Sequence, residues 1–178
     1  MGSRQTLSEA DRRLVALWAA DCAERVLPLF EAEAPDDGRA RDGIERARAF
    51  GLGRLDAAGE IRRRFVAGRA AGAVSGPAAI AAARAAGQAS GVAHMGAHAL
   101  GAAAYAAKAA MLATGGDDVR RREEVRWQLE RLETDAAAAL ATLPRLGEDT
   151  AGPLGPGLLA VGALAATIRQ IQDDLASR

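Results

Sequence analysis

The stretch PAAIAAARAAGQASGVAHMGAHALGAAAYAAKAAMLAT, residues 77–114, decides the fold class. Alanine dominates this stretch and has the highest intrinsic helix propensity of all residues, and no period-two run of β-branched or aromatic residues interrupts it. Pro77 suits the first turn of a helix, and the pair Gly115-Gly116 ends the pattern. The stretch therefore predicts one long helix or two shorter ones, with small side chains that let neighbouring helices approach closely.

Helical spacing of apolar residues continues on both sides of this stretch, and strand patterns are nearly absent. The spacing predicts further helices over about 7–33, 38–50, 57–74, 117–143 and 157–176, and Pro28 is expected to kink or split the first of them. We therefore predict an all-α protein. It should be a single bundle of about six to seven helices with closely packed, Ala/Gly-rich central helices.

The region from 144 to 157 is rich in proline and glycine, a composition typical of a linker. This predicts a helical domain over 1–143, a linker over 144–157 and a C-terminal amphipathic helix over 158–178. That helix carries apolar residues at heptad spacing, which are Val161, Leu164, Ile168, Ile171 and Leu175. It either packs on the body of the protein or forms the contact of a homodimer.

The composition narrows the classes of protein that this chain can belong to. Apolar residues make up 49% of the 178 residues and charged residues 26%, which indicates a globular protein rather than a disordered one. The 23 basic and 23 acidic residues cancel, which argues against broad nucleic-acid binding. No apolar run reaches the roughly 18 residues of a membrane span. A single cysteine, Cys22, and no visible signal peptide predict a cytoplasmic protein.

Two charged residues fall within the apolar stripe of the first predicted helix. At about 100° per residue, Asp21 and Arg25 lie on the same face as Leu14, Trp18 and Cys22. They are four residues apart, with the spacing and order of a helical ion pair. They form either a buried structural salt bridge or one wall of a polar cavity.

A second polar stripe follows if residues 77–114 form one continuous helix. It contains Gly87, Gly91, His94, His98, Gly101, Tyr105 and Lys108. The glycines would let another backbone approach closely, and His94 and His98 could bind one metal ion. No third ligand can be assigned, although Asp11, Asp21 and Cys22 are candidates. The alternatives are histidines hydrogen-bonded between helices and a switch or binding role, and we predict no cofactor.

Trp127 lies opposite the apolar face of the predicted helix over 117–143, near Arg120, Glu123 and Arg131. An outward tryptophan flanked by arginine is typical of an interface anchor. We therefore take Trp127, Arg131 and Arg120 as candidate partner-binding residues. The alternative is that the final helix or the linker covers Trp127.

No arrangement in the sequence indicates catalysis. There is no phosphate-binding glycine loop after a strand and no nucleophile elbow. The paired carboxylates Asp36-Asp37 and Asp117-Asp118 stand at helix starts, where capping explains them. We predict a binding protein and not an enzyme.

Three stretches together resemble a known family. They are AADCAERVLPLFE at 19–31, the region 87–108 with its two histidines, and RWQL at 126–129. They are similar to the bacterial Imm-five-like immunity proteins over roughly residues 8–133. The residues that match the family motifs are Asp21, Cys22, Arg25, Gln88, His94, His98, Tyr105, Lys108 and Trp127.

This resemblance implies an all-helical protein that binds a cognate protein toxin in the cytoplasm and blocks it. It also favours a shared inward polar site formed by Asp21, Arg25, Gln88, His94, His98, Tyr105 and Lys108. Two other functions stay open: a metal- or small-molecule-binding protein that uses the His94/His98 face, and a structural or oligomerisation module.

Overall fold

The computed structural model describes residues 3–178 and is all-helical over that range. The α-helices are α1 (Glu9–Glu31), α2 (Arg39–Gly51), α3 (Ala57–Arg63), α4 (Pro77–Gly91), α5 (His98–Leu112), α6 (Asp118–Glu130), α7 (Thr134–Ala141) and α8 (Gly162–Ala176). Short 3-10 helices cover Arg4–Thr6, Ala67–Ala73 and Leu158–Ala160. The predicted all-α bundle is confirmed.

Helices α4 and α5 form the centre of the bundle, and α1 lies across both of them. Most of their inward side chains are alanine, including Ala82, Ala85, Ala103 and Ala106, all fully buried. Methyl groups fill little space, so these helices pack at short distances. Larger side chains fill the space where α1 meets α2, among them Phe30, Ile44 and Phe50.

The stretch over 77–114 forms two helices rather than one, because the chain leaves the helical path between Gly91 and His98. The backbone N–H groups of Gly96 and Ala97 donate to the carbonyls of Thr6 and Gln5, each at 3.0 Å. Carbonyl groups of the N-terminal 3-10 helix therefore accept the hydrogen bonds that these N–H groups would make to the preceding turn in a continuous helix. The condition for a continuous polar stripe from Gly87 to Lys108 is therefore not met, since its residues are divided between α4, the connection and α5.

Two other predicted helices are also divided. The segment 57–74 becomes α3 and the 3-10 helix Ala67–Ala73, and the segment 117–143 becomes α6 and α7. Side-chain caps mark two of the starts: Asp56 accepts from the N–H of Gly59, and Asp117 from that of Val119. Pro28 does not split α1, which continues to Glu31.

The proline- and glycine-rich segment is attached to the body by specific contacts. The buried side chain of Gln5 accepts from the N–H of Leu154 and donates to the carbonyl of Ala151, at 2.9 and 2.8 Å. Leu146 and Leu154 are themselves buried. The division of the chain at 144–157 into separate units stays a prediction.

Helix α8 lies against α5, α6 and α7 within the single chain. Four residues of its apolar seam are buried there, namely Leu164, Ile168, Ile171 and Leu175, whereas Val161 is exposed. None of the helices over residues 3–178 combines the length and the apolar character needed to cross a bilayer.

Candidate functional site

A cleft of about 790 Å³ opens between α4, α5 and the 3-10 helix Ala67–Ala73. Small-molecule sites usually occupy about 300–1,000 Å³, so the cleft has the size of such a site. Four of the seven predicted inward polar residues line it, namely Gln88, His94, His98 and Tyr105. The structure thus brings these four together even though they belong to separate elements.

Glycines make the tight packing at this cleft possible. A Cβ atom on Gly87 would stand 2.7 Å from the Cα of Gly68, closer than real Cβ atoms approach a backbone. A Cβ on Gly91 would stand 3.0 Å from the His98 ring. A Cβ on Gly101 would collide with the side-chain amide of Gln88. The expected close backbone approach therefore occurs at Gly87, and the other two glycines make room for polar side chains.

His98 is held in one tautomer by a contact from α4. Its Nδ1 lies 2.8 Å from the amide oxygen of Gln88, so Nδ1–H donates and Nε2 is left without a hydrogen. Burial, together with smaller effects of the nearby His94 and Arg64, lowers the pKa of His98 to about 4. His98 is therefore neutral at pH 7, with Nε2 available as a hydrogen-bond acceptor.

His94 is more exposed than His98. It is exposed in the connection between α4 and α5, and the two imidazole centroids are 6.5 Å apart. Over residues 3–178 no three His, Cys, Asp or Glu side chains lie close enough to hold a metal ion. Asp11, Asp21 and Cys22 therefore do not complete a three-ligand site with this pair.

Three arginines line the cleft, namely Arg64, Arg69 and Arg84. None of them takes part in any of the ion pairs formed within residues 3–178. Arg84 donates to the Tyr105 hydroxyl at 3.4 Å, and the Arg64 guanidinium lies 4.2 Å from the centroid of the Phe65 ring. The cleft therefore carries positive charge without a carboxylate to balance it.

These three arginines are not among the site residues predicted from the sequence. Arg84 did give a signal, because it is the only charged residue between Pro77 and Ala107. Arg64 and Arg69 gave none, since arginines at those positions are equally typical of a solvated helix face.

The predicted Asp21–Arg25 ion pair is wrong. Asp21 instead accepts from Arg48 of α2 at 2.8 Å, and Arg25 donates to Glu124 of α6 at 2.9 Å. Asp21 and Arg25 are 46% and 41% exposed, so they are not core residues. Neither of them lines the cleft, and neither does Lys108.

Trp127 forms a second feature, on the surface where α6 faces α1. The guanidinium carbons of Arg25 and Arg131 lie 4.2 and 4.1 Å from its ring centroid. These distances are typical of cation–π contacts, and the indole is half-buried. We call this group, Arg25, Trp127 and Arg131, the Trp127 stack. Arg120 is not part of it and pairs with Glu123.

Buried polar groups lie behind the Trp127 stack. Glu124 is 5% exposed, its Oε1 has no hydrogen-bond partner within residues 3–178, and burial raises the pKa of its carboxyl against the opposing effect of Arg25. Burial also raises the pKa of the Cys22 thiol, followed by the charges of Glu124 and Asp21. Cys22 is therefore an uncharged thiol at neutral pH, which makes it a poor nucleophile.

Comparison with known families shows the family of this chain. A family model described as "Imm-5 like putative immunity protein" matches residues 5–135, well over half of the chain. The chain belongs to this family. In this immunity-protein family member, the matched region contains the Trp127 stack and almost all of the cleft, and α8 lies beyond it. No curated protein and no solved structure matches the chain.

Proposed function

We propose that the protein binds a cognate bacterial toxin in the cytoplasm and neutralises it by covering the toxin's active surface. The observation that supports this proposal best is the Trp127 stack, which presents a tryptophan and two arginines at the surface of a member of an immunity-protein family. Tryptophan and arginine are enriched among the residues that dominate binding energy in protein interfaces.

The Trp127 stack is organised before any partner binds. Arg25 is fixed by Glu124 at 2.9 Å, and both guanidinium groups contact the indole ring. Side chains that are already ordered lose less conformational entropy on association. The stack is therefore suited to anchor a protein partner.

The charge of the stack indicates the chemistry of the partner surface. Arg131 has no carboxylate partner within residues 3–178, and Arg25 is 41% exposed despite its bond to Glu124. Guanidinium groups in such positions still offer N–H donors to carboxylates. We infer that the toxin presents an apolar depression for the indole, with acidic side chains around it.

Co-expression with the toxin encoded beside this gene tests the proposal. The wild-type protein should restore growth and co-purify with the toxin. Persistent toxicity without co-purification would contradict the proposed function.

A pair of variants tests the assignment of the surface. Trp127→Ala should weaken toxin binding by about 30-fold or more, the loss expected for an interface anchor. Arg169→Ala, an exposed residue on α8, is the matched control and should bind as the wild type does. Equal affinities for the two variants would place the interface elsewhere.

A further inference from the structure

We propose that the cleft between α4, α5 and the 3-10 helix Ala67–Ala73 binds an organic phosphate that carries a flat ring, such as a nucleotide. This site is separate from the Trp127 stack and does not depend on toxin neutralisation.

The charge around the cleft favours a negatively charged ligand. The chain has as many acidic as basic residues, yet Arg64, Arg69 and Arg84 line one cleft that no carboxylate lines. A cleft lined by charges of one sign has a local potential that attracts ions of the opposite sign. The cleft is therefore complementary to an anion.

The number of arginines favours a phosphate over a single carboxylate. A phosphate monoester carries a charge of about −1.5 to −2 at pH 7 and offers three strong acceptor oxygens. Each guanidinium group can donate two parallel hydrogen bonds to such oxygens. A carboxylate offers one charge and two oxygens, which would leave part of the positive charge unbalanced.

The neutral groups of the cleft indicate what else the ligand carries. Gln88 accepts from Nδ1 of His98, so Nε2 of this ring can only accept a hydrogen bond. Nε2 is unsuited to a phosphate oxygen and suited to a hydroxyl or amine on the organic part of the ligand. The Tyr105 hydroxyl accepts from Arg84 and still has its own hydrogen to donate.

The apolar edge of the cleft is open to solvent. Phe65 is 59% exposed and Leu158 is 69% exposed, although both line the cleft. Large apolar side chains that line a cleft and contact water mark sites where a ligand covers them. A flat ring on the ligand can stack on Phe65, beside the Arg64 guanidinium, which lies 4.2 Å from the centroid of the Phe65 ring.

Isothermal titration calorimetry on the full chain tests the chemistry of the ligand with three probes: AMP, adenosine and inorganic phosphate. We expect AMP to bind, with an affinity that falls as salt rises, and adenosine to bind at least about tenfold more weakly. Inorganic phosphate should bind more weakly than AMP because it cannot cover Phe65.

The outcomes separate the two halves of the proposal. If inorganic phosphate binds as tightly as AMP, the cleft binds an anion, but the proposal that it also binds a flat ring is overturned. Adenosine binding as tightly as AMP would overturn the anion site. The absence of binding by both AMP and phosphate at millimolar concentration would overturn the whole proposal.

Two cleft variants and a matched control place the binding site. Arg69→Gln and Arg84→Gln should each weaken AMP binding by about tenfold, the loss expected for a charged hydrogen-bond donor. Arg169→Gln removes the same charge from the exposed face of α8 and should leave AMP binding unchanged. Circular dichroism confirms that each variant is folded, and an equal loss in all three variants would overturn the assignment to the cleft.

Discussion

Gln128 connects three helices through buried hydrogen bonds. Its side-chain amide donates to the carbonyl of Ala103 on α5 at 3.1 Å. Its backbone carbonyl accepts from the indole N–H of Trp18 on α1 at 2.8 Å. The side chain is fully buried. The residue thus fixes α6 against the centre of the bundle, directly behind the surface of the Trp127 stack.

Gln128→Ala should therefore destabilise the protein by about 2 kcal/mol, because it leaves a cavity and removes the buried hydrogen bond between α6 and the carbonyl of Ala103. Arg126→Ala is the matched control, since it places the same residue in the same helix at an exposed position. We expect the control to change the free energy of unfolding by less than about 0.5 kcal/mol. Urea unfolding followed by circular dichroism measures both, and equal losses would contradict the structural role of Gln128.

His98 makes stability depend on pH. Its pKa is about 4 in the folded protein and returns towards 6.5 on unfolding, because burial disfavours the charged ring. Between these values the unfolded chain binds more protons, so stability is present above pH 6.5 and is lost as the pH falls towards 4. The wild type should lose roughly 2 kcal/mol between pH 7 and pH 5 from this group.

His98→Gln should remove most of that dependence, whereas His94→Gln should keep it. The pKa of His94 is lowered in the same direction by partial burial and by Arg64 and Arg12, but His94 is exposed. Urea unfolding at the two pH values gives the comparison. A wild-type difference that persists in His98→Gln would show that other groups cause it.

Polar residues were predicted from the sequence with uneven success, for a physical reason. Helical spacing placed His98 and Tyr105 on one stripe, and both of them line the cleft. Gln88, which also lines it, was named only through the family resemblance. Helical spacing failed for Asp21 and Arg25, whose partners are Arg48 and Glu124 on other helices. A helical projection contains only one helix, so partners contributed by tertiary packing are invisible to it.

At the level of the elements, the same limit applies to the break between α4 and α5. The sequence left open whether residues 77–114 form one helix or two. The carbonyls of Gln5 and Thr6 decide it, and they are about ninety residues away along the chain. Helix type was predictable from alanine content and spacing, whereas the connection required a long-range contact.

The contact of α4 with the 3-10 helix Ala67–Ala73 depends on two facing glycines. Gly87→Ala should destabilise the protein by about 1–3 kcal/mol, because the new methyl group meets the backbone of Gly68 and cannot be accommodated by rotating a side chain. Gly72→Ala, in the same 3-10 helix but with open space around its Cα, is the matched control and should be neutral. Thermal unfolding of both variants provides the measurement, and a neutral Gly87→Ala would mean that the two elements can separate freely.

On the scale of the whole molecule, the family match and the folded unit do not coincide. The match ends at residue 135, yet α8 contacts α5 at the centre of the bundle. Arg121 of α6 is 6% exposed and donates to the side chains of Thr167 and Gln170 on α8. The C-terminal helix therefore covers an apolar surface of the matched region and supplies hydrogen-bond acceptors to its buried Arg121.

Deleting residues 158–178 should consequently abolish cooperative folding. The four buried seam residues Leu164, Ile168, Ile171 and Leu175 each contribute about 1.5–3 kcal/mol by burial, and their sum is comparable to the roughly 5–15 kcal/mol of net stability of a domain. Thermal unfolding of the truncated and full chains measures this, and a cooperative transition in the truncated chain would contradict it.

Light scattering tests the alternative of an oligomerisation module. If α8 packs within its own chain, we expect the full-length protein to have the mass of one chain, 18.3 kDa. A mass of twice that value, halved by the deletion, would instead support an oligomerisation module in which α8 packs on a second copy of the chain.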